Sequence, residues 1–553
     1  MSRWIVSKEG RSIGTLLAIG LAVAIAMGPG SGLAATLYWQ GPDNAGADGN
    51  WQTASNWSTN TVPASADTVN IGNSTSGHPG TGTSTIHTGV LGTTGNMTLG
   101  NNLGDTGTLN VYGNLTDTST AILIGNSGVG VLNVFSGGSV NMSAASSSIP
   151  VKLGATSTGA GTINLYAGGT ISITRAVGLT VGYLGGSGAT GMINQTGGSF
   201  VTTTGALLVE SGSYNLAGGT LYSAGAETVG FLAPASFTQG GTTINTFVNG
   251  LTVGYTTGAK GTYSLLGGSL LGWQLNGATT PPFFYINVGS NGGTGTFYMG
   301  DANGTGTIGE TGTGTRQVGL IVRVDSTSAG TFRGWGNVGL GGALINNGIV
   351  IADGYGTDRT LDMSTFSSVD LNGTQTITNT TNNGWFAKNH GKLVLPSLSV
   401  TADGNYAWGG VGGLNSVNNV QMDFHSVSTP GSLSVALLSA DRTDVPTGLT
   451  SVIGVWQFTP TSLQFGSVDL TFRYDDAAAA ALSVDPNTLN LYHYDGTNWV
   501  LVGGTTIDTT NKLLTATGLT SFSEYAIAVP EPATMTLLVM GGLSLLLRRR
   551  RDH

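Results

Sequence analysis

Acid-base cleavage of a glycosidic bond takes two carboxylates, and the densest charged group in this chain is Asp353, Asp358, Arg359 and Asp362. Acids with a neighbouring guanidinium are the parts that hydrolysis or elimination on a polysaccharide requires, the cation neutralising a uronate. The same spacing also allows one surface ion-pair cluster. The run Asp353-Gly354-Tyr355-Gly356-Thr357-Asp358 is turn-like, however, and Asp in turns commonly bonds its own backbone. No catalytic residue is therefore expected there.

The other chemistry-bearing residues are scattered. The six His, at 78, 87, 390, 425, 493 and 553, show no H-E-x-x-H spacing, and there is no nucleophile elbow or phosphate-binding loop. A calcium-binding nonapeptide needs Asp at the sixth place of G-G-x-G-x-D, where Gly292-Gly293-Thr294-Gly295-Thr296 is followed by Phe297. Asp475-Asp476 and Asp485-Pro486-Asn487 read as turn and cap residues rather than calcium ligands. With no Cys in the chain there is no disulfide framework and no thiolate metal site. Neither a cofactor nor a metal is expected.

What positions these residues is a turn-dense, all-β chain: 92 Gly, only 15 Pro and 39% hydrophobic residues in 553. From about residue 91 to 300 the sequence rhymes. Gly107-Thr108-Leu109-Asn110-Val111, Gly130-Val131-Leu132-Asn133-Val134 and Gly161-Thr162-Ile163-Asn164-Leu165 are the clearest copies, with weaker ones centred on Ile193, Tyr214, Phe237, Tyr263 and Phe297. Gly-Gly pairs follow, from 137/138 to 267/268. The centres are 23, 31, 30, 21, 23, 26 and 34 residues apart, too short for a propeller blade of about 40. A repeat of about 27 suits one turn of a right-handed parallel β-helix, expected over residues 91–395. Inward aliphatic residues would form ladders and Gly would take the corners. Asn110, Asn133, Asn164, Asn194 and Asn215 recur at one repeat position and are expected as an internal or corner amide ladder.

Residues 36–90, with Trp39, Trp51 and Trp57, are expected to cap the first coil. Residues 396–528 should form a small antiparallel β-sandwich, with a hairpin turning at Asp495-Gly496. The repeat stretch resembles the autotransporter-type and adhesin-like β-helix repeats of large secreted bacterial proteins. A true autotransporter barrel would need at least about eight C-terminal strands of about 10 residues, and that place is taken.

Both ends read as addresses. Arg3, Lys8 and Arg11 precede the apolar run Leu16 to Met27 and small residues around Ala35, the order of a signal peptide over residues 1–35. Residues 529–553 read Val529-Pro530-Glu531-Pro532, an uncharged run from Ala533 to Leu547, then Arg548, Arg549, Arg550 and Arg551. This resembles the PEP-CTERM sorting signal of Gram-negative envelope proteins. Its hydrophobic segment is expected as a helix of roughly 22 Å, shorter than a bilayer core, so that membrane attachment is transient. The resemblance implies processing by an exosortase, a membrane-embedded transpeptidase-like enzyme.

Between the ends, residues 36–528 hold 12 basic and 25 acidic side chains with no basic cluster, which leaves nothing for nucleic-acid binding. The expected function is that of a non-catalytic, exported cell-surface or matrix protein of structural or adhesive type. Exopolysaccharide or another surface glycan is the anticipated partner, and a polysaccharide-degrading lyase or glycoside hydrolase is the alternative.

Overall fold

A computed structural model describes residues 34–41, 49–118, 121–143, 150–182, 188–273, 285–312, 318–323, 329–371, 383–409 and 414–529. Most of the signal-peptide segment, Pro530, Glu531, Pro532 and Arg548 to Arg551 lie outside these residues. Val529 is described, closing the strand Glu524–Val529 opposite Thr450. Among the described residues the single α-helix is the six-residue Asp476–Ala481, and no helix is long and apolar enough to cross a membrane.

Successive short strands lie in three parallel ladders. One coil runs through Thr68–Ile71, Thr81–Ile86 and Leu91–Thr94, and the next begins at Asn96–Leu99, hydrogen-bonded in parallel to Thr68–Ile71. The first ladder is a 13-stranded sheet. The second and third are joined into a 19-stranded sheet by two long strands, Thr190–Thr202 and Gly212–Ser223, that serve both. The pattern is consistent with a parallel β-helix.

Side-chain alternation builds its core. Along Thr106–Val111 every second residue is buried, and the register stacks those residues in columns. In the first ladder the column Ile71, Leu99, Ile124, Leu153, Val181, Val209, Val229, Val253, Val288 and Val322 is sealed from solvent. Nine steps cover residues 71 to 322, about 28 residues a step. Each buried aliphatic side chain contributes about 1.5–3 kcal/mol.

The column is followed by a glycine corner. At Gly100 φ is +64°, and a Cβ would stand 2.1 Å from the carbonyl oxygen of Val129 in the coil above. The corner therefore requires both left-handed backbone and an absent side chain.

In the second ladder Leu109, Leu132, Ile163, Ile193, Tyr214, Phe237, Tyr263 and Phe297 are eight consecutive register partners, the same positions that rhyme in sequence. The column continues through Phe332, Val350 and Trp385, so the ladder outlasts the audible repeat. It also starts earlier than residue 91. Strands Thr36–Tyr38, Thr68–Ile71 and Thr81–Ile86 already belong to the ladders, because Val69 and Ile71 extend the inward column. Beside these strands Trp39, Trp51 and Trp57 are buried edge to face, with centroids 5.0 and 4.9 Å apart.

At the other end the chain changes pairing without breaking the sheet. Gly391–Val394 is parallel to Arg359–Asp362 on one side and antiparallel to Gly431–Leu438 on the other. That antiparallel sheet continues through Thr450–Thr461, Glu524–Val529 and Asn490–Tyr494 to Trp499–Leu501. A second sheet, containing Val420–His425, Ser467–Arg473 and Leu513–Leu519, packs on it through Phe424, Phe458, Phe472 and Phe522. The Asp495-Gly496 hairpin forms as expected, with Tyr494 opposite Trp499.

Candidate functional site

The four residues first considered for catalysis do not converge. Asp353 is fully buried, accepting hydrogen bonds from Arg333, from the Tyr355 amide at 2.9 Å and from Asn389 at 3.1 Å. Arg359 directs its guanidinium to the carbonyls of Asp301 and Ala302, both at 2.7 Å, and lies over the Trp335 ring. Asp362 receives the Ser364 amide at 2.9 Å, a local turn bond. Strand, turn and strand send neighbours in sequence to different surfaces, so the cluster that the spacing allows does not form.

Asp358 belongs to a clamp between the last coil and the antiparallel module. It accepts from the hydroxyl and amide of Thr443 and meets His390 Nδ1 at 3.0 Å. The His390 amide donates to Asp441 at 2.8 Å, while Arg442 grips Asp444 through two nitrogens and donates to the carbonyls of Arg359 and His390. The Thr443 hydroxyl holds the Asp358 carboxyl below the usual range, and the Arg442 guanidinium does the same for Asp444.

Elsewhere, His78 stacks on Tyr38 and His425 sits 3.4 Å from Asp469. Asp475 caps the short helix by accepting the Ala478 amide, and Asp485 accepts the Asn487 amide, as expected of cap and turn residues. Among the described residues no group of three His, Cys, Asp or Glu could hold a metal ion. A cleft of about 520 Å³ lies between the short helix and the outer side of the last coils, lined by Ile349, Ile351, Phe386, Lys388, Asp475 and Asp476 among others. Its walls are mainly aliphatic, and Asp476 stands 3.9 Å from Arg473.

The most ordered surface is the outer side of the second ladder. Asn133 donates to Asn110 at 2.8 Å, Asn164 to Asn133 at 2.8 Å and Asn194 to Asn164 at 3.0 Å. The amide ladder thus exists, but it faces outward from mid-strand instead of inward or at a corner. Parity decides this: Leu109 and Val111 point into the coil, so Asn110 points out. Two residues beyond each amide, just past the strand ends, stand Tyr112, Phe135 and Tyr166, stacked with centroids 4.3 and 4.8 Å apart and planes within 4°. Sequence reading missed this column, although Asn110-Val111-Tyr112, Asn133-Val134-Phe135 and Asn164-Leu165-Tyr166 carry its signal. The column on the other side of the amides reads Thr108, Val131, Thr162, Met192, Ser213 and Ser236.

Inside the coil the aliphatic column gives way to stacked rings, Tyr214, Phe237, Tyr263, Phe297 and Phe332, at 4.7 to 5.0 Å. The phenols of Tyr214 and Tyr263 donate to Gln195 and Gln239, each at 2.7 Å. Asn245 donates to Glu227 at 3.0 Å and lies 3.1 Å from the Tyr263 hydroxyl. Burial pushes the Glu227 carboxyl up to about 7. This acid also went unnoticed in sequence, where it is a lone charge in a Gly/Thr field. No family model, curated protein or solved structure matches the chain.

Proposed function

We propose that this chain is a non-catalytic structural and adhesive protein, exported to the cell surface or extracellular matrix of a Gram-negative bacterium. The reading takes residues 1–35 as its signal peptide and Val529-Pro530-Glu531-Pro532 with Arg548 to Arg551 as a sorting signal cut by an exosortase-type enzyme. Its coil is taken as right-handed, the hand of about 98% of parallel crossovers. One observation carries the functional part: along its hydrogen-bonded Asn column the outer side of the second ladder is a register-aligned, uncharged wall, while the carboxylates near the end of the stack are each tied to separate structural partners. A surface of this kind works by many weak contacts, to glycan or to further copies of the chain.

The test is mass analysis of the mature C-terminus from cells with and without a candidate exosortase, paired with an adhesion assay on the producing matrix. Loss of Arg548 to Arg551 only when the enzyme is present supports sorting, and an intact tail in both strains refutes it.

The cleft beside Phe386, with Lys388, Asp475 and Asp476 on its rim, is the observation that favours the alternative of a polysaccharide-degrading enzyme. Release of reducing ends from a glycan, abolished in Asp476→Asn, would establish that alternative and overturn the first reading.

A further inference from the structure

The adhesive wall is not uniform, and its composition singles out one place. On three successive rungs the outward residues are Thr108, Asn110 and Tyr112, then Val131, Asn133 and Phe135, then Thr162, Asn164 and Tyr166. On the next rung Thr196 follows Asn194 and the aromatic column has ended.

Each amide in the middle of the ladder uses one N–H and one carbonyl lone pair on its neighbours, which leaves one N–H and one lone pair per rung for a ligand. The rings cover one another's faces, so they offer a strip of ring edges, with Tyr112 and Tyr166 each 37% exposed. Amides and rings stand about 7 Å apart along each strand, the width of one sugar ring. No charged side chain occurs on these columns.

We propose that the amide ladder and the aromatic column together form a binding track for a neutral, linear, extended polysaccharide lying along the stack axis. This rests on the adhesive reading above and narrows its ligand. Ring centroids on successive rungs stand 4.3 and 4.8 Å apart, and an extended β-1→4-linked hexose chain advances only slightly further per sugar, so three sugars stay opposite three rungs. Successive sugars, each turned over relative to the last, then present hydroxyls from alternate edges to successive amides and C–H groups to the ring edges. A uronate chain would bring charges that nothing on the track neutralises, and a coiling glycan would leave the rungs after one or two contacts.

Native affinity electrophoresis of the full chain tests this, with hydroxyethyl cellulose, dextran or alginate cast in the gel. Retardation is expected in hydroxyethyl cellulose alone. Asn133→Ala should weaken it about fivefold, the effect of one net hydrogen bond. Tyr112→Leu with Tyr166→Leu keeps apolar bulk on the outer surface and should abolish retardation with an unchanged melting curve. Thr262→Ala, further along the stack, should change nothing. Equal retardation by dextran or alginate, retardation that survives the tyrosine pair, or no retardation in any gel would overturn the track. If the chain fails in every gel yet still adheres to the producing matrix, the adhesive reading stands without this ligand. If hydroxyethyl cellulose both retards the chain and loses viscosity to it, the track stands and the non-catalytic reading falls.

Discussion

Glu227 makes the stability of the middle coils depend on pH in a direction opposite to that of most carboxylates. It faces inward between Leu207 and Leu251 on adjacent rungs, with 1% of its surface exposed. Its Oε2 accepts from Asn245, while Oε1 and Asn245 Oδ1 are buried acceptors with no donor. A proton on Oε1 removes the buried charge and turns one of these acceptors into a donor. The titratable groups coupled to it are Tyr214 and Tyr263, with no cation to favour the carboxylate.

Burial raises the carboxyl from 4.5 to about 7, so between those values the folded state holds a proton that the unfolded chain has released. The slope of stability against pH is therefore negative in that window: full stability below it, a plateau of lower stability above it. A shift of this size corresponds to about 3 kcal/mol, roughly a hundredfold in the local opening equilibrium.

Amide hydrogen exchange at pH 5 and pH 8, corrected for the intrinsic rate, reads this directly. Rungs 207–209, 227–229 and 251–253 should lose about a hundredfold in protection, relative to rungs 97–99 and 122–124 as internal references. Glu227→Gln keeps the shape, carries no charge at any pH and should remove the difference. Equal protection ratios at the two pH values, or a Gln variant that still responds, would refute the protonated-acid argument.

Gly125→Ala places a Cβ 2.1 Å from the Ala160 carbonyl oxygen at φ +74° and should lower the urea midpoint far more than Gly258→Ala, which meets open space and carries only the left-handed penalty of about 1–2 kcal/mol. Asp117→Ala leaves the fully buried Arg175 without its carboxylate at 2.8 Å and should cost about 3–5 kcal/mol, much of it restored in Asp117→Leu with Arg175→Met. At the clamp, Asp358 and Asp444 have depressed folded values, so their contribution is present above about pH 4 and is lost as pH falls further. Acid-stable protease cleavage within residues 439–445 should rise on acidification before the coils yield, and an unchanged cleavage rate would reject the clamp.

The coil was legible because its physics repeats. Eight positions chosen by rhyme, Leu109 to Phe297, are eight stacked rungs. Placing the asparagines inside or at a corner ignored parity, which alone puts Asn110 on the outer side. The late coils were harder to read because Phe332, Val350 and Trp385 share a column without sharing a phrase. The antiparallel partner of Gly391–Val394 was not legible, since that strand lies about 40 residues further on and outside any period. For the acids, local spacing misled. Asp353 and Asp358 are five residues apart, yet one is buried against Arg333 and the other holds the clamp.

The two halves of the stack divide the work. From Ile71 to Val209 the rungs follow at 28, 25, 29, 28 and 28 residues, and beyond Val209 at 20, 24, 35 and 34. In the second ladder the inner column is aliphatic through Ile193, with Tyr112, Phe135 and Tyr166 outside; from Tyr214 onward that inner column carries rings. Choosing Tyr at two of those inner rungs brings phenols into the core, and buried phenols need partners. Gln195, Gln239 and Asn245 answer that need, and Glu227 joins the same network. Because each rung bonds only to its neighbours, a rung loosened near Glu227 leaves the distant, evenly spaced rungs in register. A stack built this way can keep one half in register while local opening near Glu227 becomes more frequent as pH rises. In the Glu227→Gln chain retardation by hydroxyethyl cellulose should therefore remain unchanged at pH 8, where the exchange behaviour of the middle coils differs most.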